Sequence, residues 1–254
     1  MEILTRALQQ LIELVVPEIC CHCMQPSSPA DYGLCTQCRA GLQRCKPPFC
    51  KRCALPLPMN MNPEDQVSAE RLCERCAGDT EMPLVRAYAQ FAGELLPGLL
   101  TRCKYGRERH LARPLADLVW RVAREQLRLS DYEAVVPVPL HDARLLDRGF
   151  NQSVLLAGRL CRESGLPLLS ALRRVAPTRP QALLDAGARC RNLRGSFRCL
   201  PKLGPRIGGR RLLLVDDVVT TGQTVIECAQ TLRAAGALQV DVVCLARTPR
   251  QFWD

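Results

Sequence analysis

The chain has 254 residues, 47% hydrophobic and 24% charged, which is the ordinary balance of a globular protein long enough to bury a sizeable core. Its formal net charge of +10 and its sixteen cysteines are the two departures from the ordinary. No stretch approaches the ~20 apolar residues of a membrane span, and the start from Met1 to Val16 reads as an amphipathic helix with two glutamates rather than a basic, unbroken apolar leader, so a cytoplasmic protein without a membrane partner is expected.

Cysteines in a reducing compartment are not expected to pair as disulfides, and their spacing supplies another use. Eight fall in four Cys-x-x-Cys pairs, Cys20/Cys23, Cys35/Cys38, Cys50/Cys53 and Cys73/Cys76, separated by eleven, eleven and nineteen residues. One such pair chelates a metal through a tight turn, and two complete a tetrahedral four-cysteine zinc site. The surrounding sequence has few aliphatic runs and several prolines (Pro47, Pro48, Pro56, Pro58), so metal would have to replace a core. Two structural zinc ions are therefore expected. Consecutive pairing gives Cys20/Cys23/Cys35/Cys38 and Cys50/Cys53/Cys73/Cys76, with an interleaved pairing as the alternative and Cys21, His22 and Cys45 close enough to substitute.

The knuckles end near residue 80, which divides the chain into residues 1–80, an N-terminal helix and double zinc ribbon, and residues 81–254, which alternate strand and helix. Residues 84–91 alternate like a strand, 109–128 like a helix and 132–139 like another strand. Helical patterns from about Leu145 to Glu163 follow, then a strand at Leu212, its helix from Thr224 to Gly236, and a strand at 240–246. This order predicts an α/β fold with a mostly parallel sheet flanked by helices.

The run from Leu212 to Thr224, Leu-Leu-Leu-Val-Asp-Asp-Val-Val-Thr-Thr-Gly-Gln-Thr, carries the chemistry. Four aliphatics make a strand buried on both faces, and the turn after it sits where ligands bind in open α/β sheets. Free N–H groups at a helix start, with the Thr220, Thr221 and Thr224 hydroxyls, suit a phosphate, and Gly222 permits a close backbone approach. Asp216 and Asp217 would repel that anion unless they face sugar hydroxyls or Mg²⁺. Neither a Walker string nor a Gly-x-Gly-x-x-Gly fingerprint occurs. Beyond the 132–139 strand, Arg144, Arg148, Asn151 and Gln152 add donors suited to phosphate.

The Asp-Asp-x-x-Thr-Thr-Gly loop resembles the phosphoribosyl-pyrophosphate (PRPP) loop of type I phosphoribosyltransferases. Joined with Val136-Pro-Val-Pro-Leu, Arg148-Gly-Phe-Asn-Gln, Thr178-Arg-x-Gln and Arg189-x-x-Asn, it closely resembles the ComF family of competence proteins, which also carry an N-terminal double zinc ribbon. The resemblance implies a type I phosphoribosyltransferase-like fold for residues 81–254. Asp216 and Asp217 would then hold the ribose hydroxyls and position the sugar for catalysis, and Thr220, Thr221, Gly222, Gln223 and Thr224 the 5′-phosphate. Val138 belongs to the pyrophosphate loop, with Lys104 a further phosphate contact and Arg148, Asn151 and Arg189 substrate-binding residues. Residues 178–197 take the place of a flexible loop or hood, and Ala188 stands where family members often have Glu.

Between Ala171 and Arg211 eleven basic residues face one acid, Asp185. Such a segment attracts polyphosphate or a nucleic-acid backbone, yet it holds only Phe197 as an aromatic platform. Three functions are carried forward. The first is an enzyme that binds PRPP with Mg²⁺ and transfers its phosphoribosyl group to an unidentified acceptor. The second is a non-catalytic sensor of PRPP or a nucleotide. The third, implied by the family name, is an accessory that handles single-stranded nucleic acid or joins the DNA-uptake machinery in natural transformation.

Overall fold

The computed structural model describes residues 19–28, 33–57, 71–78, 81–106, 108–175 and 195–248. The expected N-terminal helix, Thr178, Gln181, Ala188, Arg189, Arg191, Asn192 and Arg194 lie outside the described residues. Among the described residues of the cysteine-rich part are two short helices, α1 (Thr36–Ala40) and α2 (Glu74–Gly78). Then follow β1 (Val85–Gln90), α3 (Leu95–Tyr105), α4 (Ala112–Gln126), β2 (Ala134–Pro137), α5 (Asp142–Arg148) and α6 (Gln152–Ser164). The chain continues through β3 (Leu172–Arg174), β4 (Phe197–Cys199), β5 (Arg211–Val219), α7 (Gln223–Ala234) and β6 (Gln239–Arg247).

Four strands form a parallel sheet in the order β1-β6-β5-β2, and β3 and β4 form a separate antiparallel pair. This is the α/β fold with a mostly parallel sheet flanked by helices that the sequence predicts. Alternation along β5 divides its side chains between two cores. Leu212 and Leu214 pack with Val225, Ala229 and Leu232 of α7, whereas Leu213 and Val215 pack with Leu118 and Val122 of α4 and Leu156 of α6. All four strand residues are fully buried, each contributing roughly 1.5–3 kcal/mol.

The helical patterns over 145–163 form two helices, because Gly149 takes φ 76° after α5 and the Asn151 side chain accepts the Ser153 amide to cap α6. The apolar period continues across this break and hides it. The helix α3 and the β3–β4 pair are too short or too weakly patterned to be anticipated.

The cysteine-rich segment closes the open edge of the sheet. Between the clusters the chain runs beside β1, where the Cys45 amide donates to the Tyr88 carbonyl at 3.1 Å and the Gln90 amide to the Gln43 carbonyl at 2.6 Å. An uncovered edge strand would offer these groups to another chain. Cys50, Cys53, Cys73 and Cys76 join the core on the α7 face, and Cys20 and Cys35 join the core on the α3–α4 face.

Candidate functional site

At the carboxyl ends of β2 and β5 the sheet opens a cleft of about 350 Å³, a volume suited to a small ligand. The loop after β5 forms one wall through Thr220, Gly222 and Thr224, and Val138, Pro139 and Leu140 after β2 form the other. Lys104, Arg144, Arg148 and Arg174 also line it, four cations against the carboxylates of Asp216 and Asp217. That excess favours a polyanion. The Arg148 guanidinium lies 4.9 Å from the centre of the Tyr105 ring, joining the ends of α5 and α3 at the rim.

Both aspartates lie within β5, and the alternation of the strand separates them. Asp217 receives Lys104 Nζ at 2.6 Å. Asp216, 9% exposed, accepts from Ser153 Oγ at 3.4 Å and from the Asp217 amide at 2.9 Å. Burial, and next the Asp217 charge, push the Asp216 carboxyl up to about 7 against the amide, Lys104 and Ser153. In the absence of ligand, Asp216 therefore keeps its proton in the folded chain where the unfolded chain has released it. Its contribution to stability is full at acid pH and is lost as pH rises through about 7. The melting temperature of Asp216→Asn is accordingly expected to fall less than that of the parent between pH 5 and 8, measured calorimetrically without ligand. Parallel profiles would show that Asp216 does not titrate in this window.

The phosphate-type loop turns at Gly222, whose φ of 85° disfavours any side chain. A Cβ there would also come within 2.6 Å of Met82 Cε. Thr221 and Gln223 are engaged within the loop, the Gln223 amide donating to Thr221 Oγ1 at 3.4 Å and its side chain to Glu227 Oε1 at 3.2 Å. Asn151 does not line the cleft. It caps α6 and donates from Nδ2 to the Val138 carbonyl at 2.9 Å, thereby holding the opposite wall. His141, beside that wall, accepts the Ala143 amide at Nδ1 as the cap of α5.

Sequence reasoning did not single out Arg174 or Ser153, which both line the cleft. Arg174 is 7% exposed, with its guanidinium 5.4 Å from the centre of the Phe197 ring. Burial, and next the Arg144 charge, lower its pKa. Nothing in the Arg173-Arg174 pair distinguishes the buried member from the exposed one until β3 is placed. Ser153 stands beside the Arg-Gly-Phe-Asn-Gln stretch, and its place as first-turn residue of α6 became readable only once the cap at Asn151 was found.

The cysteines gather in two sets, Cys20/Cys23/Cys35/Cys38 and Cys50/Cys53/Cys73/Cys76, with the sulfurs of each set within 4.8 Å of one another. This is the consecutive grouping, and Cys21, His22 and Cys45 stand outside both sets. Cys23 and Cys35 sulfurs are 3.8 Å apart and those of Cys53 and Cys73 3.7 Å. Four sulfurs at ~2.3 Å from a tetrahedral zinc would lie about 3.8 Å from one another, so both sets fit the ion. The side-chain hydrogen bond between Cys53 and Cys50 lowers the pKa of the Cys50 thiol and raises that of the Cys53 thiol, so without metal the two thiols share a proton. Among the described residues no helix is long and apolar enough to cross a membrane.

The fold is phosphoribosyltransferase-like, and the sequence family described as phosphoribosyl transferase domain matches residues 163–251. The chain is 36% identical over 242 residues to DNA utilization protein YhgH of Escherichia coli K12, covering 92% of this chain and 99% of that protein. It is 33% identical over 238 residues to competence protein F of Haemophilus influenzae, covering 90% and 96% respectively. The chain belongs to the family of these proteins, the ComF family. Among solved structures, a purine phosphoribosyltransferase from Pyrococcus horikoshii aligns with 52% of this chain and 73% of its own, at 19% identity and a TM-score of 0.34.

Proposed function

We propose that the cleft binds PRPP with Mg²⁺ and that the protein transfers the phosphoribosyl group to an acceptor. The observation that carries this reading is the facing of two anion-type walls, residues 220–224 and 138–140, across one cleft with a carboxylate pair between them. The 5′-phosphate sits on the Thr220 to Thr224 loop and the pyrophosphate against Val138 and Leu140, within reach of Lys104, Arg148 and Arg144. Asp216 and Asp217 hold the ribose hydroxyls. Bound Mg²⁺ would neutralise charge on the leaving pyrophosphate. The cations supply fixed electrostatic stabilisation as that charge develops, and the aspartates fix the sugar so that the anomeric carbon faces the acceptor. Arg189, a substrate-binding residue by resemblance to the family, lies outside the described residues.

The same reading divides the chain at about residue 80 into a zinc-bearing part and a PRPP-binding part. It also places the protein in the cytoplasm, where thiols stay reduced for metal. A nucleic-acid role is the second reading, supported by the names of the relatives, which refer to DNA utilization and competence, and by the basic segment 171–211. Calorimetric titration with PRPP and Mg²⁺, followed by pyrophosphate release in the presence of free bases or single-stranded DNA, tests these readings together. Binding with acceptor-dependent release is expected. Binding without release under every acceptor leaves a sensor. No PRPP binding, with DNA binding that weakens steeply with salt, replaces the reading with the nucleic-acid one.

A further inference from the structure

We propose that Arg247 and Arg75 anchor the phosphate loop to the second cysteine cluster, so that the cluster sets the direction of the loop amides. This rests on the phosphate reading of the loop given above. Arg247, the last residue of β6, is 1% exposed. Its Nε donates to the Cys53 carbonyl at 2.9 Å, and its Nη1 donates to the Val219 carbonyl at 2.8 Å and to the Thr220 carbonyl. Its Nη2 lies 3.9 Å from Cys53 Sγ. Arg75, between the ligand positions Cys73 and Cys76, donates from Nη1 to the Thr221 carbonyl. Three successive carbonyls, those of Val219, Thr220 and Thr221, are thus held from the cluster side.

The consequence follows from peptide geometry. In a trans peptide the carbonyl and the next N–H point in opposite directions, and these peptides are trans. Holding the three carbonyls toward the cluster turns the amides of Thr220, Thr221 and Gly222 the other way, toward the cleft that Thr220, Gly222 and Thr224 line. Successive amides aimed at one point form an anion-binding concavity. A guanidinium suits this task because its planar fork serves several acceptors at once, which an ammonium at the end of a flexible stem does not. Four thiolates around a divalent zinc also leave two net negative charges, which offset the buried guanidinium. The first cluster is fastened elsewhere, through Arg102 Nη1 and the Cys21 carbonyl at 3.0 Å, so the two clusters are not equivalent.

Amide hydrogen exchange of the full chain, read on peptides covering residues 219–224, tests the anchor without any ligand. Arg247→Lys is expected to keep two zinc ions per chain, to speed exchange in these peptides at least about tenfold and to leave the α4 peptides unchanged. Its affinity for PRPP with Mg²⁺ should fall by a similar factor, about 1.4 kcal/mol. The pair Cys73→Ser with Cys76→Ser should reproduce both effects, and the pair Cys35→Ser with Cys38→Ser neither. Wild-type exchange in Arg247→Lys, or equal loop effects from the two cysteine pairs, overturns the anchor. If the cluster variant fails to fold, the Arg247→Lys exchange decides. If wild-type protein does not bind PRPP, the ligand reading fails alone, and exchange still decides whether the cluster holds the loop.

Discussion

Metal analysis of freshly reduced protein is expected to return two zinc ions per chain, and a strong chelator is expected to collapse both cysteine-rich segments. Each set of sulfurs is spaced for one tetrahedral ion, and the ligands come in pairs whose local turns pre-form half a site each. A structural zinc of this kind contributes an apparent ~10–16 kcal/mol in small metal-dependent domains at neutral pH. Here the clusters sit within the two cores of the sheet rather than on a tether. Loss of the second ion should therefore spread to Met82 and β1, which pack beside it, and uncover the sheet edge that residues 43–45 close. Circular dichroism and proteolysis during chelation would register this. Fewer than about one zinc per chain would rule out the double ribbon, and one ion surviving Cys35→Ser with Cys38→Ser would assign the second to the other set.

Replacing Asp216 and Asp217 together by Asn is expected to weaken PRPP binding at least about tenfold, ~1.4 kcal/mol, without unfolding the domain. The substitution keeps the size of both side chains and removes the charges proposed to hold the ribose hydroxyls. It also removes the repulsion that two carboxylates exert on phosphate and the partner that Lys104 now has at 2.6 Å. Inorganic pyrophosphate should consequently bind the double variant as well as the parent or better, while PRPP binds worse. Such a split separates a sugar contact from general damage to the cleft. Unchanged PRPP affinity by calorimetry would remove both residues from the site.

Features whose determinants are neighbours in the chain were legible without coordinates. The cysteine knuckles are local turns, so their pairs are visible as spacing, and consecutive pairing needs the least rearrangement of the chain. The strand, turn and helix around Asp216 to Thr224 are likewise consecutive, and the run of aliphatics followed by Gly222 and Thr224 specifies buried strand, tight turn and helix start in order. The alternating pattern of residues 81–254 predicted the parallel sheet because a strand buried on both faces must be apolar throughout. Local patterning was less informative where an unbroken apolar period concealed the Gly149 and Asn151 break between α5 and α6.

What the sequence determined by itself is therefore the inventory: four Cys-x-x-Cys pairs, a doubly flanked parallel sheet, and a strand-end loop of phosphate type with two carboxylates. Tertiary structure alone decided how these parts meet. Asp217 acquires Lys104 as its partner, Arg174 becomes a buried wall of the cleft, and Asn151 donates to the Val138 carbonyl. The loop carbonyls acquire Arg75 from 146 positions away and Arg247 from 28. The physical reason is that periodicity encodes burial relative to the chain's own axis, whereas a hydrogen bond between distant segments depends on where packing brings their backbones. An arginine gives no sign in sequence of whether its acceptor is water, a ligand or the carbonyl of a loop folded beside it.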